Sequence, residues 1–233
     1  MKSLASSPIK NFDSLQYLVI ISLKKLGLIM IVTLKQHTSL EVCASAIRTC
    51  WQSFDKSDNG GEKDKELIDR VGNKFKHAST LEHLFYTFYI QDVSRALLQE
   101  LARHRIASLS VKSTRYTLKE LKNEESFTCK DIQRASKYLV MTGINMVDEM
   151  SIIALENLRL VLGTGISNDK AKYCLPESYK TELTWSVNAR SLQNFLTLRS
   201  DKSALWEIQN LAHALYDALP QDHRYLFSIK DYE

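Results

Sequence analysis

Tyr179, Thr181, Leu183, Trp185 and Val187 share one parity. Period-two spacing over that length places all five side chains on one face of an extended strand. A helical pattern follows almost at once, over 191–198. A chain that changes from period 2 to period 3.6 within a few residues must turn a sheet edge into a helix start, and that constrains the fold more than any other feature. Two more stretches read as strands, the aromatic-rich run 84–90 and the short run 31–34. Only seven glycines and three prolines punctuate the 233 residues, so the rest of the chain is expected to be helix-rich with few tight turns.

The helical expectations run in order along the chain. Thr38 and Glu41 have capping-box spacing and open a helix to about Trp51, with Val42, Ala46, Ile47 and Cys50 as its apolar face. Residues 57–61 form a loop, and a short helix turns Leu67, Ile68 and Val71 inward. Leu97, Leu98 and Leu101 at helical spacing put Arg103–Arg105 at a helix C-terminal end, a favourable place for cations. The longest helical pattern covers 131–162 through Leu139, Met146, Val147, Met150, Ile153, Ala154 and Leu158. Gly143 either kinks it or ends one helix within it, and Gly163 and Gly165 stop it. A last helix over 203–219 is closed by Pro220. With no internal repeat and no linker, the expectation is one α+β domain: a small, mainly antiparallel sheet surrounded by helices.

The chemistry concentrates in 100–116, which reads as one helix end and the loop after it. Arg103, His104, Arg105, Lys112 and Arg115 stand among Ser108, Ser110, Ser113 and Thr114. Guanidinium groups are planar, forked and permanently charged, so they suit bidentate phosphate contacts, and hydroxyls and loop N–H groups can fill the remaining oxygens. The composition points to a phosphorylated ligand, or two. A bland reading stands beside it, a solvated basic helix end that only complements the helix dipole. A helical period would put Arg103 and Arg105 on different faces, so one site uses both only if the chain turns or a second subunit contributes. Ser113 lacks a nucleophile elbow and a local base, which favours ligand binding over nucleophilic attack.

Arg103-His104-Arg105, seven residues, then Ser113 resembles the R-H-R-x7-S signature of the flavin-dependent thymidylate synthases. His77-Ala-Ser79-Thr-Leu-Glu82-His83 is similar to that family's upstream flavin segment, and Asn188-Ala-Arg190-Ser-Leu-Gln-Asn194-Phe-Leu-Thr-Leu-Arg199 resembles its downstream segment. The resemblance runs from about Ile31 to the C-terminus. It implies reductive methylation of dUMP to dTMP, with FAD bound, methylenetetrahydrofolate as carbon donor and NADPH as reductant. It also implies a homotetramer with sites at subunit interfaces. By the same resemblance, His77, Ser79, Arg103, His104, Arg105, Asn188, Arg190 and Asn194 contact the cofactor. Glu100, Arg103, Val111, Ser113, Thr114, Arg115, Lys172 and Arg199 bind the nucleotide, with Arg199 the catalytic group at the uracil ring.

Three positions depart from the family pattern. Glu100 stands where glutamine is common, Val111 where an acidic residue is usual, and Lys172 where an arginine is expected. Lysine keeps the charge but loses the fork. These departures motivate an alternative, a flavin- and nucleotide-binding protein with impaired methylation. Ser79 with Glu82 also reads as a plain capping box, and Glu100 as an i,i+3 partner of Arg103. Arg190 and Asn194, four apart on a helix, share a face.

A net charge of only +4 does not point to a nucleic-acid binder. The aromatics Phe85, Tyr86, Phe88 and Tyr89 beside a basic segment raise that reading, yet they alternate like strand core residues. His77 and His83 do not have metal-ligand spacing. Cys43, Cys50, Cys129 and Cys174 are scattered, which fits reduced thiols in a cytoplasmic protein. The apolar run 17–23 is too short to span a bilayer. Residues 1–29 read as an N-terminal extension, or as the consequence of a start site placed upstream of Met30, with the catalytic domain over 30–233.

Overall fold

The computed structural model describes residues 30–230. The expected extension over 1–29 lies outside these residues. Four strands form one antiparallel sheet in the order β1-β2-β4-β3: β1 is Ile31–His37, β2 Phe85–Ser94, β3 Ala107–Val111 and β4 Lys180–Asn188. The alternation in β4 appears as expected. Thr181, Leu183, Trp185 and Val187 are buried on one face, and Trp185 pairs with Phe88 of β2 and Leu109 of β3. Tyr86, Phe88 and Ile90 continue that face across β2, with Phe88 and Trp185 stacked.

Helices cover the apolar face: α1 (Leu40–Thr49), α2 (Glu62–Ile68), α3 (Arg95–Leu101), α7 (Ala189–Arg199) and α8 (Trp206–Ala218). Between α3 and α7 the chain carries β3, α4 (Thr114–Thr117), α5 (Asn145–Gly163) and α6 (Asn168–Ala171). Helices α5 and α6, with the segment 118–139, build a second hydrophobic cluster around Leu118, Leu121, Leu139, Ile152, Leu155, Leu158 and Leu162.

Four expectations need correction. Thr38 does not cap α1: its hydroxyl accepts from Phe85 N at 3.1 Å, and Ser39 precedes the helix without a side-chain cap bond. The buried face of α1 is Leu40, Cys43, Ala44 and Ile47, with Val42 and Cys50 outside. Arg48 is buried there too, because Asp64 meets it in an ion pair whose second oxygen accepts from Ser57 Oγ at 2.7 Å and Gly60 N at 2.9 Å. A charge can be interior when paired and hydrogen-bonded, which an apolar count does not register.

The pattern over 131–162 is two helices, Ile132–Ala135 and α5, separated around Gly143 at φ +77°. Within α5 the inward set is Ile152, Leu155, Leu158 and Leu162, while Met146, Val147, Met150 and Ile153 face outward. Met146 is 75% exposed and Met150 55%. The sequence offers apolar residues on two sides of this helix, and only one side can meet the body of its own chain. Lastly, residues 107–111 are a strand, not a loop, paired to β4 along the sheet edge.

Candidate active site

The turn after α3 solves the facing problem. Leu97 and Leu101 are buried and fix the helix, Ser94 Oγ caps it by accepting from Leu97 N at 3.0 Å, and the α-helix stops at Leu101. His104 N then donates to Leu101 O at 3.1 Å, closing a turn before β3 begins. Because the chain turns, Arg103, His104 and Arg105 all line one groove of about 690 Å³.

The other wall is α7. Asn188, the last residue of β4, caps this helix through Oδ1, which accepts from Ser191 N at 2.8 Å. Ala189, Leu192, Phe195 and Leu196 are buried. The opposite face must then present Arg190, Asn194 and Leu198, spaced by four, to the groove, with Arg199 at the C-terminal end where the helix dipole favours a cation.

Arg199 is held from two sides. Its Nε donates to His104 Nε2 at 3.0 Å, and its Nη1 lies 2.9 Å from Glu100 Oε2. A guanidinium only donates, so His104 Nε2 is the acceptor and the ring carries its proton on Nδ1. Burial, and next the Arg199 cation, push the imidazole below its ordinary value, so it stays neutral. Its ring packs edge-on against Phe195 at 4.8 Å. Glu100 thus meets Arg199 closely through one oxygen, while its other oxygen lies 3.9 Å from Arg103 Nη1, the i,i+3 pairing expected from the sequence. Arg190 pairs with Glu82 at 2.7 Å across the groove mouth.

A family model described as "Thymidylate synthase complementing protein" matches residues 33–223. The chain is 74% identical over 200 residues to the flavin-dependent thymidylate synthase of Wolinella succinogenes, covering 86% of this chain and 98% of that one. It is 70% identical over 198 residues to the Campylobacter jejuni enzyme, covering 85% and 96%. The chain belongs to the flavin-dependent thymidylate synthase family. A crystal structure of the Helicobacter pylori family member, complexed with FAD and dUMP, superposes with TM-score 0.82 at 60% identity, over 86% of this chain and 100% of that one.

Not every residue expected from the family motifs lies in the groove. His77 and Ser79 are exposed on the turn Ala78–His83, which packs on α7 but leaves them outside the groove lining. That turn shows no capping bond from a side chain, so the capping-box reading of Ser79 fails. Asn188 is buried, its carbonyl spent on the cap. Ser113, Thr114 and Arg115 stand at the far end of β3, where Asn168 Nδ2 donates to Arg115 O at 2.8 Å and ties α4 to α6. Lys172, just past α6, sits 3.8 Å from Asp169. Val111 ends β3 half-exposed. Five residues of strand span roughly 17 Å, so one protomer keeps these two groups apart.

The structure adds residues that the motif reading left out. Glu82 lines the groove opposite Arg190, and Ile106 and Leu198 supply its apolar lining. Glu82 lies within the 77–83 segment, but a capping role accounted for it in the sequence. Ile106 is 73% exposed, and its position between the basic turn and β3 was its only signal.

Proposed function

We propose that this protein methylates dUMP to dTMP reductively, using bound FAD, methylenetetrahydrofolate as carbon donor and NADPH as reductant. The observation that carries the reading is the convergence of the 103–105 turn and the 190–199 helix face on one cationic groove. Four arginines, an asparagine amide and two apolar side chains around about 690 Å³ suit a ligand with an anionic diphosphate and a flat ring system. Bound FAD supplies the redox chemistry and the one-carbon relay, which no side chain here can perform.

The side chains bind, orient and polarise. We assign Arg103, His104, Arg105, Arg190 and Asn194 to the cofactor from within the groove. His77 and Ser79 join them from the neighbouring turn, and Asn188 through the helix it caps. Arg199 acts on the pyrimidine. A guanidinium at the carbonyl edge of uracil stabilises the negative charge that builds there as C5 is made nucleophilic. Ser113, Thr114 and Arg115 hold the nucleotide phosphate with Lys172 as a further cation, Arg103 stands near the nucleotide, and Val111 offers its backbone.

Those nucleotide ligands lie a strand's length from the groove, so we propose a homotetramer in which the groove of one subunit receives the 113–115 segment of another. The outward stripe Met146, Val147, Met150 and Ile153 supports this, because an exposed apolar helix face of that length calls for a partner surface. Among the described residues no helix is long and apolar enough to cross a membrane. The four cysteines stand as free thiols, which suits the cytoplasmic location we propose. The test is dTMP formation from dUMP with methylenetetrahydrofolate and NADPH, with and without FAD. FAD-dependent product is expected, and a protein that takes up no flavin and forms no product even with FAD supplied would overturn the reading.

A further inference from the structure

The groove's least exposed cation is also its most restrained one. Arg199 is 19% exposed at the side chain, against 74% for Arg103 and 54% for Arg190. Three contacts fix it: Nε on His104 Nε2, Nη1 beside Glu100 Oε2, and Nη2 at 3.4 Å from the Glu100 carbonyl. Both anchors come from a rigid base. Glu100 sits one residue before buried Leu101 on α3, and His104 is wedged on Phe195. The Nε donor is spent, so the donors left for a ligand all sit on the two Nη groups.

We propose that Glu100 is a positioning residue for Arg199: with the neutral His104 ring it holds the guanidinium so that its remaining Nη donors face the groove. This deepens the assignment of Arg199 to the pyrimidine and rests on it. It replaces the expectation that Glu100 is a nucleotide ligand, since its carboxylate is already engaged with the protein's own cation. The carboxylate also fixes what the position tolerates. Glutamine keeps an acceptor oxygen at the same reach, whereas alanine removes both the acceptor and the opposing charge.

The two roles separate in a steady-state experiment on the FAD-loaded enzyme. Mispositioning a catalytic group costs up to about a hundredfold in rate, so Glu100→Ala is expected to lower kcat by about ten- to a hundredfold with flavin content retained. KM for dUMP should move much less, and Glu100→Gln should recover most of kcat. A nucleotide ligand would instead raise KM at nearly unchanged kcat, which would overturn the proposal. The decisive arm is the cycle with Arg199→Ala. If Glu100 acts only through Arg199, adding Glu100→Ala to that variant changes nothing further, whereas an additive loss would overturn the proposal. If Glu100→Ala does not fold, the same cycle run with Glu100→Asp, whose shorter reach withdraws the carboxylate from Arg199, gives the answer. Parental turnover in Arg199→Ala would sink the Arg199 assignment itself, a result distinct from failure of the cycle.

Discussion

The two ends of β3 carry the same residue types in opposite states. At its start, two cations of the groove are already committed: Arg199 is clamped by Glu100 and His104, and Arg190 leans on Glu82. At its end, Ser113 makes no side-chain capping bond and Arg115 is exposed with only Tyr116 under its guanidinium at 5.6 Å. The first arrangement is preorganised: its geometry is set before any ligand arrives, which is what stabilising a developing charge requires. The second is poised to grip, with donors free to close on a phosphate and order lost only when it binds. On the proposed assignments, rate belongs to the clamped end and affinity to the open end.

Substitutions at each end should therefore fail differently. The largest effect is expected for Arg199→Ala, which should keep its flavin absorbance and lose about 100- to 1000-fold in kcat. Retention of parental kcat would erase the distinction between the two ends. Arg115→Ala should be smaller and of the other kind. Hydrogen bonds to charged groups contribute about 1.5–3 kcal/mol, so KM for dUMP should rise by about ten- to a hundredfold with kcat nearly preserved. A collapse of kcat there would mean that the open end also positions the ring.

The pH response sharpens the contrast further. His104 is a neutral acceptor whose folded value is lowered from 6.5 by burial and by Arg199, with Glu100 opposing and Arg103 adding to the shift. A lowered folded value means the unfolded chain binds the proton first. The stabilising contact is thus complete above pH 6.5 and is lost as pH falls toward the folded value. An acid limb in kcat should follow, and His104→Gln, whose amide oxygen accepts without titrating, should flatten it. The smallest effect is expected from Lys172→Arg, which restores a fork and should lower KM for dUMP about two- to threefold.

How far the sequence was legible depended on how local each signal was. β4 and the start of α7 could be read directly, because Leu183, Trp185 and Val187 alternate and Asn188 is a good cap. The cation set of the groove was equally legible, since the residue types and the family motifs coincide in Arg103–Arg105 and 188–199. β3 was misread as loop because Ser108 and Ser110 look like ligand donors, whereas they are the exposed positions of an edge strand. The wrong face of α5 had another origin: apolar residues stand on two sides of this helix, and periodicity alone does not say which side meets the core. The Glu100–Arg199 clamp joins residues 99 apart and leaves no local periodic signal.

The central claim is that one catalytic site needs the groove of one subunit and the 113–115 segment of another. The most direct measurement is complementation. Arg199→Ala and Arg115→Ala proteins are dissociated, mixed in equal amounts, reassembled and assayed for dTMP formation. Shared sites predict that, at dUMP concentrations far below the raised KM of Arg115→Ala, the mixture exceeds either parent and approaches about a quarter of the unmutated rate, as random pairing of two complementary halves requires. Activity no greater than the mean of the two parents, with mixed tetramers verified by mass, would contradict the claim and place each site within a single chain.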